Sequence, residues 1–189
     1  MGSKRWLAIA AFCAAFAASA AEVAGVKIDD KTRVGNADLT LNGAGLRKRV
    51  FFQVYVIGLY LPQKSVNPGA VLEQQGAKRV AIHMLRDVGA DTFTEALADG
   101  IRANHSEAEA KALEPRIQAL AAAIAELKEA KKGMVITLDW NGTDTRLVAQ
   151  GKPAGQPIAG EDFYRALLRI WIGDKPVQDD LKKALLGAS

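Results

Sequence analysis

The hydrophobic residues in the first half of this chain follow strand-like patterns. Residues 50–61, VFFQVYVIGLYL, are largely β-branched or aromatic and end at Pro62, which predicts a central strand buried on both faces. Residues 79–85 predict a second strong strand, and residues 39–41 predict a shorter one. The glycine-rich residues 42–45 predict a turn, in which the glycines allow a positive φ or a close backbone approach.

Helical patterns dominate the middle and the end of the sequence. Asp91 is positioned to cap a helix that runs to about Asn104, and Ser106 with Glu109 has the spacing of a capping box. Pro115 suits the first turn of a renewed helix. The apolar stripe of that helix is formed by Ile117, Leu120, Ile124 and Leu127. Residues 161–172 predict a further helix, and a short terminal helix carries Leu181 and Leu185.

The order of these elements predicts the fold class. Between the helical middle and the last helices, the strand-like residues 134–140 and 143–149 flank Asn141-Gly142, which is a strong β-hairpin signal. Several strands, a helical middle, a hairpin and then helices are typical of an α+β protein. We therefore expect an antiparallel sheet that helices cover largely on one side.

The N-terminus has the anatomy of a secretory signal. Lys4 and Arg5 precede the uncharged apolar residues 6–18, and residues 18–20 give the small-x-small pattern that signal peptidase recognises. The apolar stretch is shorter than the about 20 residues that a spanning helix needs. The sequence thus predicts a signal peptide over residues 1–21, a single domain over residues 22–189, and a periplasmic or secreted protein without an integral membrane span.

Composition excludes several kinds of function. Cys13 is the only cysteine and lies within the predicted signal, so the mature protein has no disulfide and no thiolate metal site. Basic residues are interspersed with acidic ones along the helices and the net charge is +4, which does not indicate a nucleic-acid binder. His83 and His105 are the only histidines and make a poor metal site. We expect no metal and no cofactor.

Three polar side chains stand out on the apolar strand segment. Strand alternation places Arg47, Gln53 and Tyr55 on one face, and a guanidinium with a phenol is a good receptor for a carboxylate or enolate oxygen. The alternative interpretation is that Arg47 pairs with an acidic neighbour and that Tyr55 is an amphipathic core residue. Eight residues of straight strand span roughly 26 Å, so Arg47 and Tyr55 converge only if the chain turns back between them.

Three segments resemble the chalcone isomerase family. They are GAGLR at residues 43–47, VYVIGLYLP at residues 54–62 and IWIGDKPVQDDLKKALLG at residues 170–187. The resemblance implies an open-faced β-sandwich, with a large antiparallel sheet, helices packed on one face and a ligand cleft between them.

The resemblance also implies roles for individual residues. Arg47 matches the family arginine that binds the ligand's anionic oxygen, and Tyr55 stands where plant isomerases have a catalytic threonine. Phe93 and Ile170 stand where those enzymes have a tyrosine and a hydroxyl residue. Because most of the catalytic polar set is replaced, the chain looks more like the fatty-acid-binding branch. The ligand-binding set is then Arg47, Tyr55, Gln53, Phe93 and Ile170, with no catalytic residue.

These observations favour an exported, non-catalytic binding protein for a fatty acid or a similar carboxylate-bearing amphiphile. One alternative is an isomerase or intramolecular lyase, in which Arg47 stabilises an oxyanion and Tyr55 acts as the acid. Another is a structural envelope protein in which Arg47 is merely salt-bridged. The sequence leaves open the ligand, the existence of turnover and the oligomeric state.

Overall fold

A large antiparallel sheet organises the chain, and the computed structural model describes it over residues 20–188. All but the last two residues of the predicted signal peptide lie outside the described residues. The strands are β1 (Ala20–Val23), β2 (Val26–Asp29), β3 (Lys31–Val34), β4 (Ala37–Arg49), β5 (Phe52–Leu61), β6 (Lys78–Met84), β7 (Val88–Gly89), β8 (Glu129–Ala130), β9 (Val135–Trp140), β10 (Asp144–Ala149) and β11 (Lys152–Ala159). The helices are α1 (Pro68–Glu73), α2 (Ala90–Ala103), α3 (Glu107–Ala125), α4 (Glu161–Ile172) and α5 (Asp179–Leu185).

The main sheet has seven strands in the order β11-β10-β9-β6-β5-β4-β3, and every neighbouring pair is antiparallel. Strands β1 and β2 form a separate hairpin, and β7 pairs with β8. The predicted α+β class with an antiparallel sheet is confirmed.

The alternation of side chains along β5 divides the molecule into two hydrophobic layers. Tyr55, Ile57 and Leu59 point into the larger layer, which contains the buried residues of the helices. Val56 and Tyr60 point to the opposite face, where Ile28 of the β1–β2 hairpin packs against them. A strand buried on both faces reads as a continuous apolar run, which explains the composition of residues 54–61.

The predicted strand over residues 50–61 is wrong in its first two residues. The chain reverses at Val50 and Phe51, and Arg49 of β4 lies opposite Phe52 of β5. Val50 has a φ of 55°, a left-handed conformation that β-branched residues rarely adopt. The turn carries no glycine, proline or asparagine, and its hydrophobic residues extend the strand pattern. The sequence pattern therefore did not indicate the reversal.

The predicted turn at residues 42–45 is also wrong, because these residues lie inside β4. Of the two roles expected for the glycines, the structure shows the close backbone approach and not the positive φ. A Cβ atom on Gly43 would meet the backbone of Ala184 and Leu185 in α5, and one on Gly45 would lie 2.7 Å from Leu181 Cδ1. The glycines thus let α5 lie directly on the sheet.

Asn42 fixes this contact. Its buried side-chain amide donates to the Leu185 carbonyl at 2.7 Å and to the Ser65 carbonyl at 3.0 Å, and its Oδ1 accepts from the Ser65 amide at 2.7 Å. The register of β4 with β5 shifts at this residue. A bulge of this kind turns one side chain out of the regular alternation, here toward α5.

Helix boundaries differ from the sequence prediction in three places, and α1 was not predicted. Helix α3 ends at Ala125, so Leu127 of the predicted apolar stripe lies beyond it. Helix α2 begins at Ala90 after Gly89 as the N-cap, so Asp91 lies in the first turn and does not cap it. The capping box of Ser106 and Glu109 is confirmed. Pro115 lies inside α3 and does not begin a new helix, because buried residues before and after it hold one continuous helix against the core.

The predicted hairpin at Asn141-Gly142 is confirmed between β9 and β10. Asn141 Oδ1 accepts from the amides of Thr143 and Asp144 at 2.8 and 2.9 Å, and Gly142 has a φ of 99°. Strand β11 follows and was not predicted from the sequence; it carries two prolines, which are uncommon within strands. No helix within residues 20–188 is long and apolar enough to cross a bilayer.

Candidate functional site

The reversal at Val50 and Phe51 brings Arg47 and Tyr55 together. Arg47 of β4 and Tyr55 of β5 are direct cross-strand partners. Residues that lie opposite each other in an antiparallel pair point to the same face of the sheet. For this pair it is the face that the helices cover, because Tyr55 belongs to the helix-side core. The distance problem posed by a straight strand therefore does not arise.

The phenol of Tyr55 is held at the end of a buried hydrogen bond. Trp171 of α4 donates its Nε1–H to Tyr55 Oη at 3.0 Å. Tyr55 is 8% exposed and Trp171 is 1% exposed. Burial raises the pKa of Tyr55, and the Trp171 hydrogen bond and the positive charge of Arg47 oppose that shift. The phenol therefore stays protonated at neutral pH and can donate its hydrogen to an anion.

Arg47 is half-buried and has only neutral partners. Its Nη1 donates to the Lys48 carbonyl at 2.7 Å and lies 3.4 Å from Gln178 Oε1. It forms no ion pair with any residue from 20 to 188. Within that part of the chain, the salt-bridged interpretation of Arg47 finds no acidic partner.

Gln178 closes the site from the side of α5. Its Oε1 accepts from the Lys48 amide at 2.9 Å, and its Nε2 donates to the Leu46 carbonyl at 3.2 Å. The side chain therefore bridges the end of β4 to the segment before α5. Its oxygen lies 3.4 Å from Arg47 Nη1.

The other three predicted ligand residues lie in different surroundings. Phe93 is 5% exposed and Ile170 is 1% exposed, and both belong to the same helix-side core as Tyr55. Ile170 packs against α2, where a Cβ on Gly100 would lie 2.8 Å from its Cγ2. Gln53 is exposed near the turn and pairs with Lys48. The structure does not bring Gln53 to the Tyr55 phenol.

The two histidines lie apart from this site. His83 of β6 pairs with Val56, so it faces the opposite side of the sheet, where burial lowers its pKa. His105 follows α2 and contacts the Ile101 carbonyl through Nδ1 at 2.7 Å. Residues 20–188 contain no group of three histidine, cysteine or carboxylate side chains that could hold a metal.

Sequence reasoning missed two residues of the site. Trp171 lies on the apolar face of the predicted helix over residues 161–172, a pattern that indicates only packing in the core, but its indole also donates to Tyr55. Gln178 gave no signal, because a glutamine in a polar connection has no distinctive pattern. Only a contact across 131 positions, from Gln178 to Arg47, reveals it.

Two surface depressions of about 370 and 400 Å³ lie elsewhere on the molecule. The first lies beside Ala44 and Lys183, and the second lies between α2 and α3. Neither is lined by Arg47 or Tyr55. Gln178 Oε1, 3.4 Å from Arg47 Nη1, is the neutral acceptor that lies beside the guanidinium.

An antiparallel sheet that helices cover on one face is an open-faced β-sandwich, and here Arg47 and Tyr55 lie side by side on the covered face. The chain belongs to the chalcone isomerase-like family, whose sequence model matches residues 20–187. A solved fatty-acid binding protein of Arabidopsis thaliana is similar in structure, with a TM-score of 0.68 and 14% sequence identity over 86% of this chain and 92% of that one. No curated protein sequence matches this chain. The predicted family and fold are confirmed.

Proposed function

We propose that the chain is an exported binding protein for a fatty acid or a similar carboxylate-bearing amphiphile, with Arg47 as the anchor of the carboxylate. The observation that carries this proposal is the pairing of Arg47 with Tyr55 on the helix-covered face, where Arg47 has only neutral partners among residues 20–188.

The head group would bind by exchange with Gln178. A guanidinium presents five donors and matches a carboxylate through two parallel hydrogen bonds, which are stronger than bonds to a neutral amide oxygen. Gln178 Oε1 lies 3.4 Å from Arg47 Nη1, a long contact that a carboxylate oxygen would improve. The neighbouring phenol of Tyr55 would donate to the second side of the same anion.

The tail would lie among the apolar side chains between the sheet and the helices. Ile57, Phe93 and Ile170 belong to this layer together with Tyr55. Each methylene group moved from water into such surroundings contributes roughly 0.8 kcal/mol. A structurally similar protein that binds fatty acids supports this class of ligand.

Export is part of the proposal. The positive residues, the apolar stretch and the small-x-small pattern at the N-terminus support a cleaved signal and a periplasmic or secreted protein. N-terminal sequencing of the mature protein from its host should begin near Ala21 or Glu22. A protein that retains Met1 would contradict export by this route.

The binding test compares ligands that differ only in charge. A long-chain fatty acid should bind the purified protein in a calorimetric titration, and the fatty alcohol of equal length should bind more weakly. Arg47→Gln should weaken fatty-acid binding by roughly 30-fold, because loss of one partner of a charged hydrogen-bonded pair costs at least about 2 kcal/mol. The same substitution should leave binding of the alcohol almost unchanged.

Arg33→Gln is the matched control. Arg33 is an exposed arginine of the same sheet, and it is paired with Asp38 at 2.8 Å. The Arg33→Gln protein should bind the fatty acid and the fatty alcohol like the unaltered protein. If Arg47→Gln retained full affinity for the fatty acid, or if the two arginine variants behaved alike, the proposed anchor would be wrong.

The geometry gives no specific support to the isomerase alternative. That reaction would need a general base beside Arg47 and Tyr55. His83 lies on the other face of the sheet, and His105 contacts the Ile101 carbonyl and Arg169. We therefore propose binding without a catalytic step.

A further inference from the structure

The tip of the β4–β5 hairpin exposes three consecutive hydrophobic side chains. Val50 is 79% exposed, Phe51 is 94% exposed and Phe52 is 59% exposed. Hydrophobic residues scattered singly over a surface are ordinary, whereas a contiguous exposed group indicates an interaction site. We call Val50, Phe51 and Phe52 the hairpin tip.

The backbone of the hairpin tip is held against its local preference. Val50 occupies the first position of a two-residue turn with a φ of 55°. Glycine is the usual residue at a positive φ of this kind, because it has no Cβ. A valine there contributes little packing to the fold, because its side chain points into solvent. Strain of this kind concentrates at functional positions.

Five exposed basic residues lie on the hairpin and on the two neighbouring chain segments. Lys48 and Arg49 belong to β4, Arg86 follows β6, and Lys131 and Lys132 precede β9. None of the five forms an ion pair with a residue from 20 to 188. We call them the basic rim.

The register of the sheet places the basic rim beside the tip. The Leu85 amide donates to the Val54 carbonyl at 3.0 Å, and the Gly133 amide donates to the Met84 carbonyl at 2.8 Å. The Arg86 guanidinium lies 4.4 Å from the centre of the Phe52 ring. The acidic neighbours in these segments are Asp87, which accepts from the Lys132 amide, and Glu129 of β8. Within these segments the five basic residues outnumber the two acidic ones.

The size of the hairpin tip distinguishes between possible partners. A fully exposed phenylalanine offers about 150–250 Å², so the tip offers roughly 400 Å² in total. A stable protein interface buries about 800 Å² on each partner, which is twice that amount. An interfacial membrane contact needs only a few apolar side chains at the acyl boundary and basic groups at the phosphates.

We propose that the hairpin tip and the basic rim dock the protein reversibly on a lipid surface that contains anionic phospholipids. Phe51 would enter the boundary between head groups and acyl chains, and the rim would contact lipid phosphates. This inference goes beyond the proposed function and does not require it. The proposed ligand site and the proposed membrane-docking surface lie next to each other, because Arg47 lies two residues from Arg49 on the same strand.

The test is co-sedimentation of the full chain with vesicles of phosphatidylcholine, with and without phosphatidylglycerol. Phosphatidylglycerol should increase the bound fraction, and added salt should reduce that increase because it screens the charges. Phe51→Ser should weaken the phosphatidylglycerol-dependent binding roughly 10-fold or more, as expected for a lost phenylalanine contact. Arg49→Glu should weaken it roughly 5-fold or more.

Two matched variants control for general surface effects. Val66→Ser removes an exposed hydrophobic residue of another segment, which is 69% exposed, and Arg33→Glu reverses an exposed charge on β3. Both should bind vesicles like the unaltered chain. Every variant carries the same N-terminal residues, so differences between variants report the docking surface.

Three results would overturn the proposal. They are equal binding to both kinds of vesicle, unchanged binding by Phe51→Ser, and self-association that disappears in Phe51→Ser without any vesicle binding. The last would assign the tip to contacts between copies of the chain. Phe51→Ser should still bind the fatty acid in solution and Arg47→Gln should still bind vesicles, so either proposal can fail alone.

Discussion

Replacing Gly43 with alanine should loosen α5 from the sheet. The added methyl group would meet the Leu185 carbonyl oxygen at 2.7 Å and its carbonyl carbon at 2.8 Å, besides the Ala184 carbonyl. These are backbone atoms, so no side-chain rotation relieves the overlap and the helix has to move. Movement of α5 would also stretch the bond between the Asn42 amide and Leu185 and disturb Gln178, which precedes the helix.

The magnitude follows from two opposing effects. Overpacking a tight contact costs about 1–3 kcal/mol, and the rigid backbone at this site places Gly43→Ala at the upper end. Alanine also lowers the conformational entropy of the unfolded chain relative to glycine, which offsets about 0.4–1 kcal/mol of this cost. The free energy of unfolding should therefore fall by about 2 kcal/mol, which lowers Tm by roughly 4–8 °C for a domain of this size.

Urea and thermal unfolding measure this effect, with Gly89→Ala as the control. Gly89 has a φ of −58°, and a Cβ there would meet nothing within 4 Å. The unfolding midpoint of the Gly89→Ala protein should stay close to that of the unaltered protein. If Gly43→Ala and Gly89→Ala shared one midpoint, the glycines of β4 would not be explained by the approach of α5.

Three further predictions concern buried polar groups. Tyr55→Phe should lower the free energy of unfolding by about 1–3 kcal/mol, because it leaves the buried Trp171 N–H without its acceptor; unchanged urea unfolding would contradict the hydrogen bond. Lys78→Met should lower the urea midpoint, because it leaves the buried Glu161 Oε1, which lies 3.5 Å from Lys78 Nζ, without this cation; an unchanged or higher midpoint would show that the ion pair does not stabilise the fold. Burial lowers the pKa of His83 in the folded protein. As the pH falls below about 6.5, His83 of the unfolded chain therefore takes up a proton before His83 of the folded protein does. The free energy of unfolding should fall between that pH and the lowered pKa of the folded state. The loss in unfolding free energy from neutral to mildly acidic pH should be smaller in His83→Gln, and an equal loss in both proteins would refute this origin.

The fold could be predicted from sequence where local patterns and packing agree. Helix α4 has the predicted bounds, residues 161–172, because its apolar spacing and glycine boundaries indicate the same element. The Ser106 and Glu109 capping box and the Asn141 hairpin are equally local, since side chains bond the backbone within a few residues.

The remaining differences arise where tertiary contacts decide the structure. The glycines at residues 43 and 45 favour a turn locally, but the docking of α5 from the far end of the chain determines their role. The turn at Val50 and Phe51 contains no residue that is typical of turns, so the apolar pattern of residues 50–61 predicted a strand where the chain reverses. That hairpin converts two residues eight positions apart into neighbours. The roles of Arg47, Tyr55, Gln53, Phe93 and Ile170 in binding stay predictions.

Strand β11 has a consequence for association with other chains. It lies at one edge of the main sheet, and Pro153 and Pro157 leave two of its eight residues without an amide hydrogen. An added strand needs a regular row of donors and acceptors, and prolines interrupt that row. The opposite edge, β3, is only four residues long. The two borders of the sheet are therefore poor templates for fibril-like growth.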